Sequence, residues 1–194
     1  STVAELEKLG VKAVYSVFNV DEMAQVEQGV ASIASQLGGI DILINNAGVG
    51  DFGSFEDMPV ETWEKVMKVN LFGVYYVAKA TLPYLKQNKE GDIVNVASTA
   101  GLKGAPNMSA YCASKAAVIS LSQSLMAELR KFNIRVITLT PSTIATDMSI
   151  EGKLTDGNPE KVLQPEDFAE WVRDILKMNR RAMIASASIF STNP

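Results

Sequence analysis

One pair of residues in this sequence has the spacing and chemistry of an acid–base couple. Tyr111 and Lys115 stand four residues apart, separated by Cys112, Ala113 and Ser114. Positions four apart lie on one face of a helix. An ammonium group beside a phenol stabilises the phenolate, so we expect Lys115 to lower the pKa of Tyr111 from about 10 toward neutrality. A tyrosine with such a pKa is a usable general acid or base.

The same spacing occurs in Tyr75 and Lys79, so context must distinguish the two pairs. Tyr111 follows a strand-like run at 93–97 and a loop of glycines and other small residues. Ser98 stands at the end of that strand, where its hydroxyl can hydrogen-bond a carbonyl oxygen and stabilise developing negative charge. Tyr75 lies mid-helix without such a partner and is predicted to be a packing residue. The context therefore favours Tyr111.

The composition excludes several other kinds of site. The sequence has no histidine and one cysteine, Cys112, which excludes Ser-His-Asp triads and zinc sites built from histidines or several thiolates. We therefore predict no metal site and interpret Cys112 as a small buried filler in a reducing, cytoplasmic setting. A net charge of −4 argues against a nucleic-acid partner. The apolar runs are too short to predict a membrane span.

The elements that must position these residues alternate between strand and helix. Helical spacing is found at 3–9, 21–37, 59–87, 109–131 and 165–178, and strand-like runs at 11–18, 41–45, 92–97, 134–140 and 182–189. Such alternation predicts a single α/β domain over residues 1–194, with a doubly wound parallel sheet between two layers of helices. The polar segment 149–164 follows the carboxyl end of a strand and is either a lid over a substrate or a plain surface loop.

One glycine motif is discounted. Gly48, Gly50 and Gly53 match the spacing of the dinucleotide-binding fingerprint and follow a strand. That fingerprint needs a helix to begin directly after it, so that backbone N–H groups meet a pyrophosphate. Residues 54–59 intervene here, and we interpret the match as chance.

The remaining motifs together resemble the short-chain dehydrogenase/reductase family over the whole chain. They are Asn45-Asn46-Ala47-Gly48 after a strand, Asn70, Ser98, and the pair Tyr111 and Lys115, in the family's order and spacing. The resemblance implies a Rossmann-like fold and hydride transfer between NAD(P) and a carbonyl or secondary alcohol.

The resemblance also implies a role for each catalytic residue. Tyr111 exchanges a proton with the substrate oxygen, and Lys115 lowers the pKa of Tyr111 and holds the nicotinamide ribose. Ser98 orients the substrate oxygen, and Asn70 anchors a water-linked proton relay ending at Lys115. From the residue alone, Asn70 is instead a polar residue that caps or bends its helix.

Cofactor contacts follow from the same resemblance. They are Asn19 and Val20 near the adenine, Asn46, Ala47 and Gly48 near its ribose, Tyr111 and Lys115, and Pro141, Ile144 and Thr146 near the nicotinamide. Ser142 stands where the family usually has a glycine, which lets the backbone approach a ligand closely. NADP is the expected cofactor, by resemblance to the bacterial 3-oxoacyl-acyl-carrier-protein reductases alone, and NAD is the alternative. The charge that decides between them in the family follows its second strand, which does not occur in this sequence.

The resemblance carries four further expectations. The family begins with a strand, a Gly-rich loop, a helix and a second strand, none of which precedes Ser1, so we expect a native protein longer by roughly 30 residues or more. Bacterial 3-oxoacyl-acyl-carrier-protein reductases are the most similar subgroup, with a sugar, diketone or pterin as alternative substrates. The helices at 59–87 and 109–131 are expected to pair in a homodimer or homotetramer, or else to be covered by a loop of the same chain. A nonenzymatic cofactor-sensing regulator is disfavoured, because such proteins usually lose the tyrosine or lysine.

Overall fold

The computed structural model describes residues 2–192, and its centre is a parallel sheet of four strands within that range. The strands are β1 (Ile42–Asn45), β2 (Gly91–Val96), β3 (Ile134–Pro141) and β4 (Ser186–Ile189), and they lie side by side in that order. The α-helices are α1 (Thr2–Lys8), α2 (Met23–Leu37), α3 (Val60–Met67), α4 (Gly73–Gln87), α5 (Ser109–Leu129), α6 (Asp147–Glu151) and α7 (Pro165–Lys177).

Alternate residues of the central strands point to opposite helical layers. Ile93 and Val136 are register partners and pack with Leu85 of α4 and Leu129 of α5. The next register pair contacts the opposite layer, in the cluster Val94, Ile137, Leu139, Val172 and Ile175, which includes the inner face of α7. Every residue of β3 is buried, as expected for a parallel strand covered on both faces. The predicted doubly wound α/β fold is confirmed.

The strand predicted at 11–18 is wrong. Residues 11–19 run as irregular chain, and no ladder partner for them occurs within residues 2–192. Tyr15 is 74% exposed and Val17 is 89% exposed, while the Phe18 ring packs against Gly29 of α2. β-branched and aromatic residues favour a strand only where a neighbouring strand and a packed face are supplied.

The predicted helix at 59–87 is three consecutive segments. Between α3 and α4 the chain forms a π-helical turn over Lys68–Phe72, in which the N–H of Gly73 donates to the carbonyl of Lys68. π-Helical turns are rare and frequently occur at functional sites. The other predicted helices and strands differ from the observed ones only at their ends; the last strand, for example, begins at Ser186 instead of 182.

A buried ion pair joins β2 and β3 at the amino ends of the strands. The guanidinium of Arg135 donates to both carboxylate oxygens of Asp92, over 2.6 and 3.0 Å. Arg180 donates to Asp92 over 3.2 Å, and the side chains of Asp92 and Arg135 are 5% and 6% exposed. The hydrogen bond to Asp92 raises the pKa of Arg135 above its ordinary value.

We expect Asp92→Ala to lower the free energy of unfolding by about 3–5 kcal/mol, because it leaves the Arg135 charge buried without its partner. Urea denaturation of the full-length protein measures this loss. The matched control is Asp174→Ala, which breaks the exposed pair of Asp174 with Arg173 (3.0 Å) and should change the midpoint little. An equal loss of unfolding free energy in the two variants would show that the buried Asp92 pair stabilises the fold no more than an exposed pair does.

Candidate active site

A cavity of about 970 Å³ opens at the carboxyl ends of β1, β2 and β3. This edge of a parallel sheet is where doubly wound folds bind ligands. Nine of the residues singled out in the sequence line the cavity: Asn46, Ala47, Gly48, Ser98, Tyr111, Lys115, Pro141, Ile144 and Thr146. The other three, Asn19, Val20 and Asn70, are outside its lining.

Tyr111 lies in the first turn of α5, and burial dominates its electrostatics. Desolvation raises the pKa of Tyr111 above its ordinary value, a hydrogen bond with Ser98 acts in the opposite direction, and Cys112 raises it further. The rings of Phe52 and Tyr111 pack edge to face, with ring centroids 5.7 Å apart and an interplanar angle of 72°. Tyr111 is therefore a neutral phenol at neutral pH, which is the form that can donate a proton.

Lys115 lies one helical turn after Tyr111 and is only 6% exposed. Its Nζ donates to the carbonyl oxygen of Val96 over 2.9 Å and lies 5.7 Å from the centroid of the Tyr111 ring. Burial lowers the pKa of Lys115 to about 8. An ammonium group has three donors, so this one can also bind hydroxyl oxygens that enter the cavity.

The expectation that Lys115 brings the pKa of Tyr111 toward neutrality is wrong for this structure. The Lys115 ammonium bonds to the end of β2 instead of the phenol oxygen, and loss of water around the phenol outweighs the favourable effects on the phenolate. The two side chains nevertheless line the same cavity, as the four-residue spacing predicts.

Ser98 follows β2 and caps a short 3₁₀ turn, Thr99–Gly101. Its Oγ accepts from the backbone N–H of Ala100 over 3.1 Å, which leaves the hydroxyl proton for another acceptor. The turn packs tightly on α5, because a Cβ atom at Gly101 would lie 2.7 Å from the carbonyl carbon of Lys115. This close packing holds Ser98 beside Tyr111.

Asn70 lies in the middle of the π-helical turn and is fully buried. Its side chain accepts from the N–H of Val49 (2.8 Å) and donates to the carbonyl of Val49 (3.0 Å) and to Ser114 (3.1 Å). A Cβ atom at Gly48 would lie 3.2 Å from Asn70 Oδ1 and 3.7 Å from Lys115 Nζ. Asn70 therefore fixes the loop after β1 against α5, next to the Lys115 ammonium.

We expect Asn70→Ala to lower the free energy of unfolding by about 2–4 kcal/mol, because it removes the partners of both backbone groups of Val49. Urea denaturation measures the effect. Asn88→Ala is the matched control: Asn88 also donates to a backbone carbonyl, that of Ile40, but is exposed, so the loss should stay within about 1 kcal/mol. An Asn70→Ala variant as stable as the control would rule out this clamp.

The segment after β3 forms another wall of the cavity. Ser142 donates its N–H to the carbonyl of Ile189, and its φ is not in the left-handed region, so the backbone there does not require a glycine. Ile144 forms an isolated bridge with Leu163, and the Thr146 hydroxyl caps α6 through the N–H of Ser149. The predicted residues Pro141, Ile144 and Thr146 are thereby held along one side of the cavity.

Asn19 and Val20 are engaged elsewhere. The N–H of Asn19 donates to the Gln25 side chain over 3.1 Å, and the Val20 side chain packs on Gly73 at the start of α4. Their proposed contact with the adenine remains a prediction.

Phe52 and Met148 are among the cavity residues that were not predicted from the sequence. Phe52 lies in the loop after β1, and Met148, in α6, is 37% exposed. A sequence pattern would not identify either of them, because their contacts join loops about one hundred residues apart. Ser149 and Leu154 also line the cavity, so the segment at 149–164 supplies part of its wall.

Tyr75, predicted to be a packing residue, is 41% exposed on α4, and its ring lies 5.6 Å from the Tyr76 ring, centroid to centroid. Its hydroxyl accepts from Lys79 over 3.2 Å. The Tyr75 and Lys79 pair therefore has the correct spacing but lies outside the cavity lining.

The residues of the cavity fit a nicotinamide cofactor. A buried ammonium with free donors, a neutral phenol and a loop without side chain at Gly48 surround one space at the strand ends. Within residues 2–192, no group of three or more His, Cys, Asp or Glu side chains is placed to hold a metal ion. In the same range, no helix is long and apolar enough to cross a membrane.

Comparison with known sequences finds dehydrogenases and reductases. The family model described as short chain dehydrogenase matches residues 1–156. The inactive 2-(S)-hydroxypropyl-CoM dehydrogenase 2 of Xanthobacter autotrophicus is 35% identical over 188 residues, covering 90% of this chain and 81% of the relative. The 3-oxoacyl-acyl-carrier-protein reductase FabG of Thermotoga maritima is 38% identical over 161 residues, covering 83% of this chain but only 63% of the relative.

Solved structures agree with the sequence matches. An alcohol dehydrogenase from the archaeon Thermococcus sibiricus, complexed with 5-hydroxy-NADP, superposes with a TM-score of 0.89 and 26% identity, covering 99% of this chain and 80% of that one. An NAD⁺-bound xylitol dehydrogenase gives a TM-score of 0.89 and 27% identity, covering 97% and 82%. Neighbours of this fold are thus found with NADP and with NAD.

Proposed function

From the premise that this chain belongs to the short chain dehydrogenase family of NAD(P)-dependent oxidoreductases, we propose that it transfers a hydride between NAD(P)H and a carbonyl carbon, and that its substrate is a 3-oxoacyl thioester. One observation carries the proposal: Ser98, Tyr111 and Lys115 line a single cavity at the carboxyl ends of the parallel strands. The FabG relative supports the thioester assignment.

The walls of the cavity include apolar side chains that an apolar substrate can contact. Phe52, Pro106, Met108, Met148 and Leu154 are among them, beside polar residues such as Lys103 and Asp147. A sugar, a diketone and a pterin are the alternatives, and a nonenzymatic regulator is disfavoured because Tyr111 and Lys115 are both present.

The proposed roles follow from the positions of the side chains. The nicotinamide, when bound, supplies the hydride. Ser98 donates its hydroxyl proton to the substrate oxygen when substrate is present, and Tyr111, kept neutral by burial, transfers its proton to the same oxygen. The Lys115 ammonium then stabilises the phenolate that Tyr111 becomes. Asn70 holds the adjacent loop and is proposed to anchor a water-linked relay that returns a proton through Lys115.

Residues for the cofactor are proposed on the same basis. Lys115 would hold the nicotinamide ribose, the segment with Pro141, Ile144 and Thr146 would hold the carboxamide, and Asn46, Ala47 and Gly48 would lie beside the adenine ribose. Asn19 and Val20 would contact the adenine. NADP is proposed as the cofactor, on the similarity to the reductase subgroup, with NAD as the alternative.

Three further features belong to the proposal. Residues 1–194 form a single catalytic domain, of which Ser1, Asn193 and Pro194 lie outside the described residues. The protein is a homodimer or homotetramer paired through α4 and α5, a choice supported by two exposed aromatic residues, Phe72 directly before α4 and Tyr75 on it. The one buried thiol, Cys112, supports a reducing, cytoplasmic setting.

A substrate panel tests the proposal. We expect full-length protein to oxidise NADPH, followed by absorbance at the reduced-nicotinamide band, on addition of acetoacetyl thioester, and to act weakly on diacetyl and polyols. Parallel reactions with NADH decide the cofactor preference. Turnover of polyols or diacetyl alone would replace the thioester assignment, and binding of cofactor without turnover of any substrate would favour the regulator.

A further inference from the structure

A second cavity lies behind one wall of the proposed active site. It measures about 620 Å³ and is lined by the loop after β1 and by the end of α6. Three residues, Gly48, Phe52 and Met148, line both cavities. The two spaces therefore adjoin at these three residues, which form a shared wall, and the aromatic ring of Phe52 is the largest side chain of that wall.

Glycines on both sides hold the Phe52 ring in this wall. A Cβ atom at Gly152, just after α6, would lie 2.7 Å from Phe52 Cε2, and one at Gly50 would lie 2.8 Å from Phe52 Cζ. Both distances are too short for a real Cβ, so the ring fits only because neither residue has a side chain. Packed edge to face with Tyr111, the ring is fixed directly beside the proposed proton donor.

Two sides of the main cavity differ. On one side the lining includes the Phe52 ring, and on another it includes the exposed loop at residues 103–106. A long substituent of a carbonyl compound can extend toward that loop, but the substituent on the Phe52 side meets an aromatic wall.

We propose that Phe52 is a specificity-determining residue that restricts the substrate to carbonyl compounds with one short substituent, which lies against its ring. This inference rests on the proposed function, because it assumes that the carbonyl lies at Tyr111. Without the ring the two cavities join, and the second one receives a larger group. The second cavity is lined by exposed charged residues, Asp51, Glu151 and Lys153, so the wall also keeps their water away from Tyr111.

Two thioesters test the inference, acetoacetyl and benzoylacetyl N-acetylcysteamine. They differ only in the group on the ketone carbon that points away from the thioester, which is methyl in the first compound and phenyl in the second. We expect Phe52→Ala, in the full-length protein, to raise the ratio of kcat/KM for the phenyl over the methyl compound at least about tenfold. Phe52→Leu, which keeps an apolar side chain in the wall, should raise it less. General damage to the fold would lower both values and leave the ratio unchanged.

Phe55→Ala is the matched control, because Phe55 lies in the same loop, is 81% exposed and lines neither cavity. Its ratio should equal that of the wild type. A ratio unchanged within twofold in both Phe52 variants, with the methyl compound still reduced, would overturn the inference and leave the proposed function standing.

Wild-type protein that reduces neither compound would instead count against the proposed function. Dissociation constants of the two thioesters, measured by ligand-observed NMR, then test the wall independently of turnover. Tighter binding of the phenyl compound by Phe52→Ala would support the inference, and unchanged constants would overturn it.

Discussion

Tyr111→Phe should lower kcat for carbonyl reduction by at least about 100-fold, the lower end of the contribution of a general acid. The substitution removes the buried phenol proton and keeps the ring that packs edge to face with Phe52. Steady-state kinetics on full-length protein measure the loss. Because the substitution leaves Lys115 and the rest of the cavity in place, the affinity for the nicotinamide should change much less than kcat.

Tyr75→Phe is the matched control, since Tyr75 is paired with Lys79 at the same spacing but lies outside the cavity lining. Its kcat should be close to that of the wild type. Near-normal turnover by Tyr111→Phe, or an equal loss in the two variants, would show that the phenol of Tyr111 is not the proton donor.

The pH dependence should show the titration of Lys115. Burial lowers the pKa of Lys115 to about 8 and raises that of Tyr111. Lys115 is therefore charged below about pH 8 and loses its charge above it, whereas Tyr111 is neutral just below and just above pH 8. Since kcat/KM reports groups of the free enzyme, its value for carbonyl reduction should be level up to about pH 8 and then fall by about tenfold per pH unit.

A substitution can assign this fall to Lys115. Arginine keeps its charge at every pH in the assay, so Lys115→Arg should have lower activity but no fall near pH 8. Tyr75→Phe should retain the wild-type profile. If Lys115→Arg kept the same fall, another group would be responsible for it.

The sequence predicted those parts of the fold that depend on local pattern. The strands predicted at 92–97 and 134–140 are β2 and β3, and nearly all of their residues are buried, as expected for parallel strands covered on both faces. The segment at 11–18 has similar composition, but its conformation depends on a neighbouring strand, which local composition does not reveal. The π-helical turn was not predictable either, since it accompanies contacts of Asn70 with residues far away in sequence.

In the candidate site, too, the features set by local spacing were predictable and those set by distant contacts were not. Spacing predicted that Tyr111 and Lys115 line one cavity, because the α-helix fixes which residues share a face. The direction of the pKa shift of Tyr111 was predicted wrongly, since the loss of water around a side chain depends on how the whole chain packs. Phe52 was missed for the same reason: its neighbours Gly152 and Tyr111 come from two other segments of the chain.

Transfer of a labelled hydride tests the central claim most directly. Full-length protein would be incubated with a 3-oxoacyl thioester and NADPH carrying deuterium on one face or the other of the dihydronicotinamide ring, and the product analysed by mass spectrometry. We predict a 3-hydroxyacyl product that gains one deuterium, on the carbinol carbon, from only one of the two deuterated forms of NADPH. A product without deuterium from either form, or no hydroxyacyl product at all, would contradict it.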